Sequence, residues 1–186
     1  MAKVDNNIFV RGLTGQVGEQ FVIRRGKGGR TIIANKPTFA ANRTFNPEQL
    51  EHQENFRIAI AYAKDAKTNP LYISKAQGTT MSAFNAAVAD WFNKPEVLEI
   101  NTTGWTGTIG QTIRVQAKDD TQVMNVRVQI TDDAGNVLEQ GDATFAEGLW
   151  WEYTTTATIT DITTAKVKAT AYDLPGNDHV LVWENN

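Results

Sequence analysis

The feature that most constrains the fold is a run of short alternating segments that starts after Pro95 and continues to the C-terminus. From Met124 to Ile130, apolar and polar side chains alternate, which is typical of a strand with one buried and one solvated face. Seven such segments, separated by turn-forming sequences, are typical of an immunoglobulin-like or fibronectin-like sandwich. We expect strands at Val97–Thr103, Thr112–Lys118, Met124–Thr131, Val137–Gln140, Leu149–Thr156, Lys166–Tyr172 and His179–Glu184.

Upstream of this run, the sequence has helical periodicity. Asn46 is an N-cap candidate, and Gln49 three residues later completes a capping box, which predicts a helix that continues to about Lys67. Its expected buried stripe is Phe56, Ala59, Ile60 and Ala63. A second helix is predicted between Gly78 and Pro95, with its apolar face formed by Met81, Phe84, Val88, Trp91 and Phe92. Small residues on both helices favour an antiparallel helical hairpin, and the tripeptide Leu71–Ile73 is too short to assign.

The N-terminal part contains a candidate β-hairpin between Gly12 and Pro37. Apolar and β-branched residues flank a loop, Arg24–Arg30, that consists only of glycine and cationic residues. We therefore predict an α+β chain, with an N-terminal β-hairpin plus a helical hairpin followed by an all-β immunoglobulin-like sandwich. The expected domains are residues 1–95, comprising the arm and the two-helix region, and residues 96–186, comprising the sandwich.

Composition excludes several functional classes. The chain has 186 residues, of which 41% are hydrophobic and 21% charged, and its net charge is −3, so a basic surface for nucleic acid can only be local. It has no cysteine, which excludes disulfides, thiolate metal sites and cysteine nucleophiles. Neither a secretory signal nor a membrane-spanning run is present. We expect synthesis in the cytoplasm without a signal peptide, no membrane association, and incorporation into a virion or extracellular particle if the protein leaves the cell.

Two resemblances support this division. The patterns Val126-x-Val-x-Ile-x-Asp-x-Ala-Gly135 and Val167-x-Ala-x-Ala-x-Asp173 resemble bacterial immunoglobulin-like modules of surface and virion proteins, which implies a fold and no catalytic residues. The pattern Gly12-x-x-Gly15-x-x-Gly18, the basic loop and Gln49-x-x-x-Gln53-x-x-Phe56 are similar to an uncharacterised bacterial and phage domain family. Families of this kind tend to be structural subunits of phage-like particles, which implies that role here.

Candidate catalytic and metal-binding residues are few. His52 and His179 lack the spacing of a zinc site, and neither Ser74 nor Ser82 lies in a nucleophile elbow. Acidic turns could supply calcium with oxygen ligands, although turn formation explains the same residues more simply. These turns contain Asp119-Asp120, Asp132-Asp133, Asp173, Asn177 and Asp178. We therefore expect no enzyme activity, no cofactor and no metal.

The candidate partner-binding residues belong to the arm and to one adjacent tryptophan pair. Alternating apolar residues of an extended arm can fill pockets when the arm adds to a sheet edge, and we assign Ile8, Val10, Phe21 and Ile23 to this role. The loop cations Arg24, Arg25, Lys27 and Arg30 can contact a protein partner, contact phosphate in nucleic acid, or remain in solvent. Trp150 and Trp151 must face opposite ways on a strand, so one of them belongs to the core, and the other is either covered by the helical part or an exposed anchor for a partner. We assign Trp150 as the partner-binding residue.

Two functional hypotheses follow. In the first, the protein is a non-enzymatic structural subunit of a phage-like or other large self-assembling particle, and its arm and hairpin contact neighbouring subunits. In the second, it is a monomeric binding or adhesion module that recognises a glycan or a protein through the sandwich loops.

Overall fold

The computed structural model describes residues 2–4, 12–25, 31–39 and 43–184. The chain divides into two compact units, Met1–Gln53 and Glu54–Asn186. The independence of residues 96–186 as a domain stays a prediction. The chain is of mixed α+β class, as predicted, with β-strands in both units and three helices between the N-terminal and C-terminal strands.

The first unit contains the predicted β-hairpin. Strands β3 (Phe21–Arg25) and β4 (Thr31–Asn35) pair antiparallel, with Ile23 opposite Ile33. Two strands that the sequence did not predict extend this hairpin, so that the order is β1-β4-β3-β2. They are β1 (Ala2–Val4) and β2 (Gly15–Val17), and the turn that joins β2 to β3 uses Gly18 at φ 58, a conformation that glycine adopts without strain.

Helix α1 (Pro47–Ala66) has the predicted capping box. The Asn46 Oδ1 atom accepts a hydrogen bond from the Gln49 backbone N–H at 2.7 Å, and the Asn46 N–H donates to Gln49 Oε1 at 3.2 Å. These bonds satisfy two polar groups at the helix start, and the prediction is confirmed. Ala59 and Ala63 are fully buried, also as predicted, whereas Phe56 is 47% exposed and stacks on Phe92.

The helical hairpin predicted from two helices is wrong, because a third helix lies between them. Helix α2 (Pro70–Ala76) includes the unassigned tripeptide, and helix α3 (Ala83–Phe92) follows. Helix α3 fully buries Ala86, Ala87 and Asp90. Of the predicted apolar face, Phe84 and Val88 are half-buried and pack against this core, whereas Met81 and Phe92 are exposed. The helical core consists of Ala63, Tyr72, Ala86 and Ala87. None of the described helices combines the length and apolarity that crossing a membrane requires.

The C-terminal half contains two four-stranded antiparallel sheets, with orders β5-β6-β10-β9 and β12-β11-β7-β8. The strands are β5 (Glu96–Asn101), β6 (Thr112–Lys118), β7 (Asn125–Thr131), β8 (Val137–Asp142), β9 (Thr144–Glu147), β10 (Trp150–Thr154), β11 (Lys166–Tyr172) and β12 (Asp178–Glu184). All seven predicted strands are present. The sequence missed β9, which is short and fully exposed.

One apolar core lies between these two sheets. Side chains that alternate along the strands meet there, which agrees with the alternation predicted for β7. The largest fully buried residues of this core are Ile113, Val115, Val126, Val128, Ile130 and Val167. Met124 is 45% exposed because it precedes the strand, which begins at Asn125.

Candidate functional site

The predicted partner-binding residues of the first unit divide between exposed and buried positions. Phe21 is 42% exposed, and both Arg24 and Arg25 are exposed. Ile23 is buried at 7% exposure, so its side chain supports the sheet. The other predicted residues of the arm and loop, Ile8, Val10, Lys27 and Arg30, lie outside the described residues.

Cross-strand pairing places four apolar side chains on one face of the N-terminal sheet. Val17 is directly opposite Phe21, and Ile23 is directly opposite Ile33. Phe21 and Ile23 are two residues apart on β3, so both pairs share a face. We call Val17, Phe21, Ile23 and Ile33 the arm strip. Within the arm strip, Ile23 is buried and Ile33 is half-buried, whereas Phe21 and Val17, which is 52% accessible to solvent, are exposed.

The predicted anchor Trp150 is half-buried on β10. The guanidinium of Arg114 lies over the Trp150 ring, 4.8 Å from its centroid, in a cation–π contact. Trp151 packs against the core between the two sheets, and its ring contacts Phe145 edge to face at 5.6 Å. Both tryptophans therefore have partners within the chain.

A groove of about 440 Å³ lies beside Trp151, and the sequence analysis did not predict it. Its walls carry three exposed apolar side chains, Met124, Phe145 and Leu149, and Ala117 also lines it. We call it the β9 groove, because Phe145 belongs to that strand. The signal in the sequence is a pair of large apolar residues, Phe145 on β9 and Leu149 in the turn that follows it.

A buried polar network joins the helices to the loop between β6 and β7. Tyr72 donates a hydrogen bond to Asp90 Oδ2 at 2.6 Å, and the hydroxyls of Tyr72 and Tyr62 are 2.7 Å apart. Thr121 donates to the other oxygen of Asp90. Asp90 and Tyr72 are both completely buried, so these bonds compensate for the loss of water.

Two further carboxylates surround the same point. The Asp119 Oδ2 atom accepts hydrogen bonds from the backbone N–H groups of Thr121 and Gln122, each at 2.8 Å. Asp120 Oδ2 accepts from Lys75 at 2.7 Å and from Asn93 at 3.0 Å.

The three aspartates each offer an oxygen atom within 4.8 Å of the others, a separation that a metal ion could bridge. The ammonium of Lys75 already supplies positive charge there, and Asp90 has no exposed surface. We therefore interpret the three aspartates as a structural cluster that holds the helices against the loop between β6 and β7.

The pKa values of this network depend on its burial. Loss of solvent raises the pKa of Asp90 to about 6, with a further contribution from Asp120 and Asp119, while hydrogen bonds from Thr121 and Tyr72 oppose the shift. Burial also raises the pKa of Tyr72, and its hydrogen bond to Asp90 adds to that effect. At Asp120, burial acts to raise the pKa, but hydrogen bonds from Lys75, Asp90 and Asn93 together lower it.

The other acidic turns make local hydrogen bonds. Asp132 accepts from the Asn136 backbone N–H at 2.8 Å, and Asp173 accepts from the N–H groups of Gly176 at 2.8 Å and Asn177 at 2.6 Å. These bonds are the ones that aspartate makes in turns. They give each of these carboxylates a role in shaping the chain.

Comparisons with known proteins assign no family. No family model matches the chain, and no curated protein does. Two solved structures are distantly similar. The first is an engineered protein, with 18% identity over 54% of this chain and 25% of that chain, and a TM-score of 0.32. The second is a conjugative transposon lipoprotein from Bacteroides eggerthii, with 17% identity over 50% of this chain and 95% of that chain, and a TM-score of 0.27. The chain thus spans about a quarter of the engineered protein.

Proposed function

We propose that the protein is a non-enzymatic structural subunit that self-assembles, and that a neighbouring copy covers its N-terminal sheet. The observation that carries this proposal is the near absence of a core in the first unit. Among its described residues, only Ile23 and Thr31 are buried. Leu13, Val17, Phe21, Phe39 and Leu50 are all exposed. A small sheet of this kind needs an apolar face covered before it is stable.

Coverage by a second molecule is energetically favourable. Removing a large apolar side chain from water contributes about 1.5–3 kcal/mol, so covering the exposed halves of Val17 and Phe21 contributes about 1 kcal/mol each. Exposed strand edges add main-chain hydrogen bonds when another strand pairs with them. β1 and β2 are the edges of this sheet. The proposed assembly is a phage-like or other large particle.

The two C-terminal sheets have the strand order of an immunoglobulin-like sandwich, and we assign that fold to them. In such folds, strands A, B, E and D form one sheet, and strands G, F and C form the other. The order β5-β6-β10-β9 corresponds to A-B-E-D, and β12-β11-β7 corresponds to G-F-C, with β8 in the position of C′. In the proposed assembly, each subunit contributes this sandwich as a rigid domain.

The absence of an enzymatic function belongs to the same proposal. The most perturbed carboxyl, Asp90, is sealed from solvent, whereas a catalytic acid or base must reach its substrate. Its hydrogen bonds to Tyr72 and Thr121 hold the helices against a loop. A structural role explains these contacts without a reaction.

Sedimentation of the full chain tests the proposal. We expect oligomers whose size rises with concentration, and Phe21→Glu should raise the dissociation constant at least about tenfold, or about 1.4 kcal/mol, because it places a charge in the contact. The matched control is Val137→Glu, which changes an apolar residue of β8 that is 51% exposed, compared with 42% for Phe21. Wild-type protein that stays monomeric at every concentration would contradict self-assembly and favour the monomeric binding module.

A further inference from the structure

The β9 groove combines an apolar wall with an unpaired strand edge. In the sheet order β5-β6-β10-β9, β9 is the last strand, and within the described chain no strand pairs with its outer side. Every residue of Thr144–Glu147 is exposed. A strand edge beside an apolar groove fits an extended segment, since its backbone can pair with the edge while alternate side chains enter the groove.

The arm strip can offer such a segment only at its edge strand β2, because β3 is paired on both sides, with β2 and with β4. Val17 on β2 lies directly opposite Phe21 on β3, and these two exposed side chains are the part of the strip that can enter the groove, since Ile23 is buried. Phe21 and Val17 are about half exposed and belong to short strands. Their exposed side chains are apolar, as are the exposed side chains of Phe145, Leu149 and Met124 in the groove.

Net charge distinguishes the N-terminal part of the chain from the rest. Residues 1–45 contain eight lysines and arginines and two acidic residues, a net charge of +6. Residues 46–186 contain ten lysines and arginines and nineteen acidic residues, a net charge of −9. Near the contact surfaces, Arg24 and Arg25 are exposed at the end of β3, whereas the groove is lined by one residue of each sign, Asp119 and Lys118, and Glu147 ends β9. Glu147 is held 3.7 Å from Arg114 and remains mostly exposed. The opposite net charges of residues 1–45 and residues 46–186 favour contact between the arm of one copy and the C-terminal part of another, and disfavour contact between two arms.

We propose that the arm strip of one copy docks in the β9 groove of a second copy. The inference rests on the proposed self-assembly and names the receptor surface for the arm. The two surfaces are different patches of the chain, so the interface is heterologous and repeats head to tail, as rings or filaments require. An isologous dimer would instead place identical patches against each other.

Cross-linking of single-cysteine variants tests this contact, because the chain has no native cysteine. Full-length Phe21→Cys is mixed with Leu149→Cys and treated with a short bismaleimide. Docking should give cross-linked heterodimers in about tenfold or greater excess over the control, since docked thiols react at a high effective concentration. The control partner is Val137→Cys, which is exposed at the opposite end of the β7–β8 pair from Met124. Phe145→Cys replaces Leu149→Cys if the latter loses its native circular dichroism.

The possible results distinguish failure of the proposed docking site from failure of the proposed self-assembly. Assembly in sedimentation, with no excess of the Phe21–Leu149 or Phe21–Phe145 product over the control, would overturn the docking site and leave self-assembly intact. Absence of assembly would contradict both. Cross-linking only within a single chain of a Phe21→Cys, Leu149→Cys double variant would also overturn the intermolecular contact.

Discussion

Asp90 illustrates how one residue joins parts of the chain that are distant in sequence. It is an acidic residue on the helix face that also carries Ala86 and Ala87, and it is completely buried. Tyr72 and Thr121 both donate hydrogen bonds to it, which makes burial of the carboxyl tolerable. Asp119 and Asp120 face it from the loop, and Lys75 neutralises Asp120.

The raised pKa of Asp90 predicts that stability decreases as pH rises. Its pKa is about 6 in the folded chain against an ordinary value of 3.8, so between these values the folded state holds a proton that the unfolded state has lost. The stabilisation is therefore fully present below pH 3.8 and is lost as pH rises through about 6. Asp90→Asn cannot ionise, and we expect it to remove this part of the pH dependence.

Urea denaturation across this pH range, followed by tryptophan fluorescence, measures the effect as the difference between the wild type and Asp90→Asn. Asp65→Asn is the control, because Asp65 is exposed on helix α1. Parallel pH profiles for the wild type and Asp90→Asn would contradict the prediction.

For the helices and strands, the accuracy of the sequence prediction depends on whether the stabilising interactions join residues that are close in sequence. Helix α1 was predictable because its start is encoded by Asn46 and Gln49, which bond to each other. The strands of the C-terminal half were predictable because alternation repeats within each one. Helix α2 was missed although Asn69-Pro70 is itself a helix start, with Asn69 as N-cap and proline at the first position.

Removing this cap should destabilise helix α2. The Asn69 Oδ1 atom accepts a hydrogen bond from the Leu71 backbone N–H at 3.0 Å, and Asn69→Ala leaves that N–H without its side-chain partner. We expect a loss of about 1 kcal/mol in the free energy of unfolding. Thermal and urea unfolding measure it, with Thr68→Ala, an exposed neighbour, as the control within about 0.5 kcal/mol of wild type. Equal stability of the two variants would show that the cap contributes nothing.

For the whole molecule, the distribution of the cores suggests which fragments are stable. The buried residues of the core between the two C-terminal sheets lie between Val97 and Ala171, and the partly buried Leu181 and Trp183 pack against it. The helices add polar bonds to this part, from Lys75 to Asp120 and from Asn177 to the Trp91 carbonyl oxygen. The sheets thus carry their own apolar core, whereas the helical core is small.

We therefore expect residues 96–186 to fold alone but less stably than residues 54–186. The shorter fragment keeps the complete apolar core and loses the Asp90 hydrogen bonds and the Lys75 ion pair. The m-value and midpoint of urea unfolding, with dispersed amide resonances as a sign of fixed packing, measure this. A fragment 96–186 without a cooperative transition would show that the helices complete the fold, and would remove the expected boundary at residue 95.

Local patterns in the sequence predict the α+β class, the hairpin of β3 and β4, the start of α1 and seven of the eight C-terminal strands. Each of these depends on periodicity, turns or caps within a few residues. Folding of the whole chain brings Asp90 to Thr121, places Trp150 under Arg114, and joins Phe145 and Leu149 with Met124 in one groove. These contacts join segments that are distant in sequence, and no local pattern specifies which strand edges and side chains the fold brings together.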